Sequence, residues 1–410
     1  MPQPYFPALP RLERVEAIHI RVPFRRPLLD ATGEFTHRRT WLLRVVDAEG
    51  NEGLGEAALN PLAADVTTGS LAALIREIVP ELAAGRTPTW SDLAAEGEPG
   101  RAAMAAVDGA IGALIAAQAA GATSRAGTAS RAGATSRAGA TSRAGATSRA
   151  GATPAAGLAL QATVTTIAVS AAISFAGPGA GAEAAAQAIE LGFRTLKLRA
   201  GFERTTDQLV DRLRAIRAAV GPEPRLRIDA GGAWDLDTAA ERIAAISPFR
   251  IEYVEQPLAA WDMAGHAALR ERIRVPIALD ESIDSEGSAR AALAEGAVDV
   301  VIVKPARVGG LAATMRVVEA ATAAGASVVL GTYFETGVGI AAVLRIAAAM
   351  PAAERGTEPA HGLATAGILV HDLLGMPLPI DGGRMTVPAV VVLDESQVAR
   401  YALERFEARG

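Results

Sequence analysis

RLRIDAGGAWD, Arg225 to Asp235, alternates polar and apolar residues for five positions, ends that run on an acid, and then breaks at two glycines. The alternation is that of a β-strand, and a Gly-Gly pair marks a turn. The same grammar recurs downstream. RIEYVE (Arg250 to Glu255), PIALDE (Pro276 to Glu281) and VDVVIVK (Val298 to Lys304) are short strand-like runs that close on charged residues. Their polar ends Asp229, Glu255, Asp280 and Lys304 are spaced 26, 25 and 24 residues apart, the length of a strand, a helix and their loops. Working outward, ATVTTIAV (Ala162 to Val169) and RTLKLR (Arg194 to Arg199) precede them, and ASVVLGT (Ala326 to Thr332) and a weaker run near Ala360 to Thr365 follow. Good helix formers lie between, such as TDQLVDRLRAIRAAV from Thr206 and GSARAALAEG from Gly287. About eight such units predict an α/β chain folded as a (β/α)8-type barrel. A doubly wound open sheet is the alternative, but no GxGxxG follows a first strand.

The first part of the chain reads differently. IHIRVPF, TWLLRVVDAEGNEGLGEAAL and the helical TGSLAALIREIVPELAAG predict a meander of strands followed by helices, an α+β capping domain over residues 1–118. From Gly121 a GATSRA-type hexapeptide repeats five times before a truncated GATP, with five arginines and no acid. A left-handed β-helix of that period needs an aliphatic side chain in each turn, and here there is only alanine. Residues 119–156 are therefore read as a flexible, exposed insertion. The barrel is expected over 157–384. The tail 385–410, with the strand-like DGGRMTVPAVVVL leading into it, is expected to return toward the capping domain.

Composition excludes several classes. The 410 residues, 50% hydrophobic, suffice for one large core and a smaller one. A net charge of −5 gives no reason to expect nucleic acid or an anionic membrane as partner. The absence of cysteine removes disulfides, thiolate metal sites and cysteine nucleophiles, and fits a cytoplasmic enzyme. The longest apolar run, Ala102 to Ala120, is mainly alanine and carries Asp108, so it reads as a buried helix rather than a membrane span.

In a barrel of this kind functional groups gather at the C-terminal strand ends. This chain places there Lys197 and Arg199 on one strand, Arg227 and Asp229 on the next, then Glu255, Asp280 with Glu281, and Lys304. Lys197 and Arg199 point the same way on a strand, about 6–7 Å apart, and two like charges on one face call for something negative opposite. Three carboxylates on three successive strands would in turn repel one another without a cation. Oxygen donors with no histidine or cysteine suit Mg²⁺ or Mn²⁺. An ion held there, flanked by lysines, suits removal of the proton next to a small-molecule carboxylate, with the enediolate charge stabilised. Any one of these acids is explained equally well by an ion pair with a neighbouring helix; three at matching ends with lysines on both sides are not.

RIDAGGAWD, IEYVEQPL, IALDES and VIVKPARVGG resemble the metal-binding and lysine motifs of the enolase superfamily, in its muconate-lactonizing-enzyme subgroup. The resemblance runs from about Val22 to Pro388, apart from the repeat. GLGEAAL near the start and HGLATAGILVHDLL near the end are most similar to its o-succinylbenzoate synthases, enzymes of menaquinone synthesis. The resemblance implies a TIM-like barrel with seven βα units and a further strand, Asp229, Glu255 and Asp280 as Mg²⁺ ligands, Lys304 as the lysine across the site, and Lys197 and Arg199 as the Lys-x-Lys pair. It also implies substrate contacts from Arg227, Thr332 and Glu335, with Glu335 placed to hold a lysine by its charge, and a homo-oligomer. The implied reaction is dehydration of a cyclohexadiene carboxylate. The alternatives are an N-succinylamino acid racemase or dipeptide epimerase of the same subgroup, and, in another class, a degenerate barrel without activity.

Two residues depart from the family pattern. Arg199 stands where the lysine that moves the α-proton is usual, and an arginine stays protonated and cannot act as a base. Lys197 is then the candidate base, with Arg199 as its charged neighbour. The family's DAN is here Asp229-Ala230-Gly231, so an amide that helps to shape the site is missing. A one-base dehydration tolerates the loss of a base better than 1,1-proton transfer, which needs a lysine on each face. A glycosidase would pair two carboxylates without flanking lysines or a third acid. The five histidines show no ligand spacing, and His361 and His371 read as loop or surface residues. Gly309 and Gly310 read either as a tight turn or as a place where a helix N-terminus meets an anion.

Overall fold

Leu, Val and Ile alternate with charged residues from Leu12 onward, and the chain answers with a long hairpin. In the computed structural model, which describes residues 9–30, 33–61, 65–132, 166–173, 177–351 and 358–410, strands β1 (Leu12–Asp30) and β2 (Gly33–Asp47) pair antiparallel, and β3 (Glu52–Ala57) adds to β2. Asp47 closes the turn before β3: its carboxylate accepts from the amides of Glu49 at 3.0 Å and Asn51 at 2.8 Å. Gly50 there takes φ +77°, a left-handed position that glycine adopts without steric cost.

The helix Gly97–Ala132 packs on this sheet with Ala102, Ala106, Ala110, Ile111 and Leu114 buried, a stripe at helical spacing. Gly53 and Gly55 make the approach feasible. A Cβ at Gly55 would stand 1.9 Å from the carbonyl oxygen of Ala106, and one at Gly53 2.1 Å from that of Ala110. Gly97–Gly121 is long and apolar enough to cross a bilayer, yet this stripe is buried in protein and Asp108 lies in its middle. The helix runs on through the first two hexapeptides to Ala132. The rest of the repeat, expected as a flexible insertion, lies outside the described residues.

The second half forms the barrel. After β4 (Thr166–Ala168), seven parallel strands follow in chain order, each paired to the next: β5 (Ala171–Ile173), β6 (Thr195–Arg199), β7 (Arg225–Asp229), β8 (Ile251–Glu255), β9 (Ile277–Leu279), β10 (Val300–Val303) and β11 (Ser327–Leu330). The eighth position is only two residues wide. The His361 amide donates to the Ala168 carbonyl, the Ser170 amide to His361, and the Gly362 amide to Leu330, so the ring closes between β11 and the start of β5. Tyr253, Ala278, Val300, Ile302 and Val329 pack together as one apolar cluster. Helices between the strands begin on Thr205, Asp235, Asp262, Ser285 and Thr336, whose side chains accept from amides of the first turn.

Three expectations need correction. The first barrel strand is Ala171–Ile173, not the run ending at Val169, because Thr166–Ala168 instead pairs antiparallel with β13 (Arg384–Thr386). His361 is buried in the barrel closure rather than on the surface, with its Nδ1 accepting from the Leu330 amide at 2.9 Å. The run DGGRMTVPAVVVL does not itself join the first sheet. β12 (Ile380–Asp381) and β13 form a hairpin whose two-residue turn, Gly382-Gly383, has φ of +55° and +71°, the geometry that demands glycine in tight hairpins. The strand that pairs with β1 is β14 (Ala402–Arg409), whose side chains alternate between part-buried and exposed.

Two carboxylates of the first domain reach the starts of barrel helices. Asp108 accepts from the Ala312 amide at 3.3 Å, at the head of Gly310–Ala323. Glu56 accepts from the amide and hydroxyl of Thr336 at 3.1 and 2.6 Å and from the Gly339 amide at 3.0 Å, at the head of Gly337–Ala349. The Gly309-Gly310 turn thus does present a helix N-terminus to an anion, and the anion is the chain's own Asp108.

Gly55→Ala should destabilise the chain by about 1–3 kcal/mol or more through overpacking against the long helix. Gly69→Ala, where an added Cβ meets nothing within 4 Å, should be neutral or slightly stabilising. Urea-denaturation midpoints compare the two; equal shifts would show that the glycine seat does not control the packing.

Candidate active site

Strand register gathers the charged groups. Lys197 lies beside Arg227, Arg199 beside Asp229, and Asp229 beside Glu255, and because side chains alternate along each strand these groups share one face. Lys197 Nζ lies 2.7 Å from Glu255 Oε1 and 3.0 Å from Asp229 Oδ2. Arg199 Nη1 donates to the other oxygen of Asp229 at 2.8 Å. From the opposite side Lys304 Nζ donates to Asp280 Oδ2 at 2.5 Å, and Arg307 Nη1 to Asp280 Oδ1 at 2.9 Å. Both oxygens of Asp229 and both of Asp280 therefore carry a cation.

Burial makes these charges interact strongly. Glu255, 1% exposed, has its pKa pushed up to about 8 by burial, with Lys197 opposing and Asp229 and Asp280 adding to the push. Burial also works against the charge of Asp280, yet Lys304 and Arg307 hold it well below the usual carboxylate range. Lys197 is part-buried, with 27% of its side chain exposed; desolvation works against its charge, but Asp229, Glu255 and Asp280 together raise its pKa well above that of an ordinary lysine. Among the described residues no three histidine, cysteine or acidic side chains form a ready cage for a cation; Asp229 and Glu255 share Lys197. The donor chemistry fits a hard divalent ion: three carboxylates at neighbouring strand ends, with Glu255 reluctant to ionise beside the other two.

A family model described as "Enolase C-terminal domain-like" matches residues 180–391. The chain belongs to this enolase-like family. An o-succinylbenzoate synthase of Thermobifida fusca is 41% identical over 221 residues, 53% of this chain and 65% of that protein. An N-succinylamino acid racemase of an Amycolatopsis species is 38% identical over 179 residues, 44% of this chain and 47% of that protein. The chain thus spans less than two thirds of the length of these relatives. The solved muconate lactonizing enzyme from Pseudomonas fluorescens superposes with a TM-score of 0.73 at 22% identity, covering 96% of this chain and 100% of that one, a likeness of fold.

Within this enolase-like barrel three expected site residues have other neighbours. Arg227, 1% exposed, donates to Glu252 at 2.6 Å and to the Ala360 carbonyl at 2.6 Å, and its guanidinium lies 4.8 Å over the Tyr253 ring. An extra residue in β8 at Glu252 brings that acid within reach. Arg227 is thus braced within the barrel by Glu252, the Ala360 carbonyl and the Tyr253 ring. Thr332 shares a 3.0 Å hydrogen bond with Thr365. Glu335 does not hold a lysine. It is buried against Glu56 and Arg38, and its pKa is pushed up to about 7 by burial and then by Glu56, with Arg38 opposing.

Three residues that serve the site escaped the sequence reading. Arg307, three positions after Lys304, binds both the side chain and the main-chain carbonyl of Asp280. Tyr333 accepts a hydrogen bond from Arg307, and its ring centre lies 5.1 Å from Lys304 Nζ and 4.8 Å from the Arg307 guanidinium. Gln256, fully buried at φ +40°, accepts from the amides of Asp280 at 3.0 Å and Ser282 at 3.1 Å. Its signal was an amide side chain directly after Glu255, in the turn that leaves β8.

Gln256→Leu would strand both amides, a cost of about 1–3 kcal/mol for each buried donor, which chemical denaturation should register. Glu335 gives a pH signature. Its folded pKa lies above the unfolded value of 4.5, so the stability it contributes is full below about pH 4.5 and is lost as pH rises through about 7. Glu335→Gln should remove that part of the decline, so the stability difference between variant and wild type should grow in the variant's favour from pH 4.5 to 7. A constant difference would refute the assignment.

Proposed function

We propose that this chain is a Mg²⁺-dependent dehydratase of the o-succinylbenzoate synthase type. The reading is carried by one observation: lysines on β6 and at the end of β10 reach a row of three strand-end carboxylates from opposite sides, Lys197 to Asp229 and Glu255, Lys304 to Asp280. The o-succinylbenzoate synthases among the relatives support the choice of reaction. Asp229, Glu255 and Asp280 would hold the ion. When bound, the ion would supply the positive charge that fixes a substrate carboxylate and lowers the cost of removing the neighbouring proton.

The chain's own residues do the rest. Lys197 can take the α-proton only when the carboxylates around it no longer hold its own proton in place. Arg199 adds a fixed positive charge beside it. Lys304, held by Asp280 and lying against Tyr333, keeps a cation on the far side where enediolate charge develops. The proton taken from Cα and the hydroxide lost from Cβ leave together as water.

A second reading, racemisation or epimerisation of an N-acylated amino acid or dipeptide, is favoured by the same pair of lysines, because 1,1-proton transfer needs one on each face. An N-succinylamino acid racemase and a dipeptide epimerase are among the relatives.

Purified protein with Mg²⁺ should dehydrate the cyclohexadiene carboxylate, stop on chelation, and lose at least about 10²-fold in kcat on Lys197→Met or Lys304→Met. Deuterium incorporation with inversion at Cα of an N-succinyl amino acid, without dehydration, would establish the second reading instead. Inertness toward both substrates would leave a non-catalytic barrel.

A further inference from the structure

The two departures from the family pattern, Arg199 and Gly231, lie on different strands and meet in space. The Arg199 guanidinium rests on the α-carbon of Gly231. A Cβ built at Gly231 would stand 2.2 Å from Arg199 Nη2 and 2.6 Å from both Cζ and Nη1. In that pose Nη1 reaches Asp229 Oδ1 at 2.8 Å, while Lys197 holds Oδ2.

The seat is fixed from below. Gly231 and Gly232 take φ of +56° and +76°, and the Gly232 amide donates to the Gln256 carbonyl at 2.6 Å. On the neighbouring turn the Ala200 amide donates to the Asp229 carbonyl at 2.7 Å, and a Cβ at Gly201 would meet the Ala230 carbonyl at 2.7 Å. The backbone carbonyl of Arg199 accepts from the buried Arg212 at 2.5 Å. Neither turn has room to move, so a side chain at position 231 displaces the guanidinium. With 46% of its side chain exposed, Arg199 can swing into solvent at little cost to folding. Asparagine tolerates the left-handed backbone of position 231; what excludes it here is volume already occupied by Arg199.

We infer that Arg199 and Gly231 are one unit, in which the missing side chain at 231 is the seat for the guanidinium, and the seated guanidinium positions the outer oxygen of Asp229. Arg199 is a positioning residue acting through Asp229. The chain is a site rebuilt around an arginine, not a lysine site with one residue lost. Exchanging Arg199 for lysine alone therefore leaves an unfilled space over Gly231, and the family-like arrangement returns only when both positions change. This inference deepens the proposed function and takes Asp229 as a working carboxylate.

Four proteins test it: wild type, R199K, G231N and R199K/G231N. Peptide-resolved labelling with phenylglyoxal reads the seat directly and needs no activity: Arg199 should react at least about threefold faster in G231N than in wild type, with other arginines unchanged. In turnover with Mg²⁺, G231N should lose at least about tenfold in kcat with KM changing less, and R199K/G231N should recover most of that loss, the non-additivity expected of residues in contact. Unchanged labelling, or losses that simply multiply in the double variant, would overturn the inference. If no protein turns over, the proposed function falls, and labelling alone decides the seat.

Discussion

Asp229, Glu255 and Asp280 put three negative groups on the ends of neighbouring parallel strands, and the top of the barrel is organised by the need to answer them. Carboxylates this deeply buried cannot be left uncompensated. Lys197 and Arg199 come from the strand on one side, Lys304 and Arg307 from the strand and turn on the other. Secondary features follow from that arrangement. Tyr333 lies under two of the cations. Gln256 accepts a strained backbone to hold the amides around Asp280. The polar row is paired along its length by these four cations.

The second constraint runs between the domains. Glu56 and Asp108 belong to the first domain, but the amides they satisfy open two helices of the barrel. A helix start left bare within an interface would carry unpaired donors. These contacts set the height of the cap over the barrel, and the buried Arg38–Glu56–Glu335 group sits directly behind one of them.

Much of this was legible in the sequence because it depends on local periodicity. RTLKLR, RLRIDA and RIEYVE became Thr195–Arg199, Arg225–Asp229 and Ile251–Glu255 almost residue for residue, since two-fold alternation and a polar terminus are properties of adjacent residues. The failures are all non-local. Ala162 to Val169 reads as one barrel strand, and only Arg384–Thr386, far along the chain, draws Thr166–Ala168 into another sheet. The final barrel strand is two residues long and carries no pattern to find. Family resemblance places Glu335 at the pocket beside a lysine, whereas its neighbours Arg38 and Glu56 come from β2 and β3. Arg199 and Gly231 were each visible as exceptions, but their contact is a matter of side-chain volume across two strands, which no spacing rule encodes.

The pairing of β14 with β1 has a consequence for how the molecule is made. Domains usually complete themselves in the order in which the ribosome delivers them. Here the whole barrel is synthesised between the two strands that form one edge of the N-terminal sheet. Until Ala402–Arg409 emerges, β1 presents an open row of backbone donors and acceptors, and its sheet waits on the barrel before it can be finished.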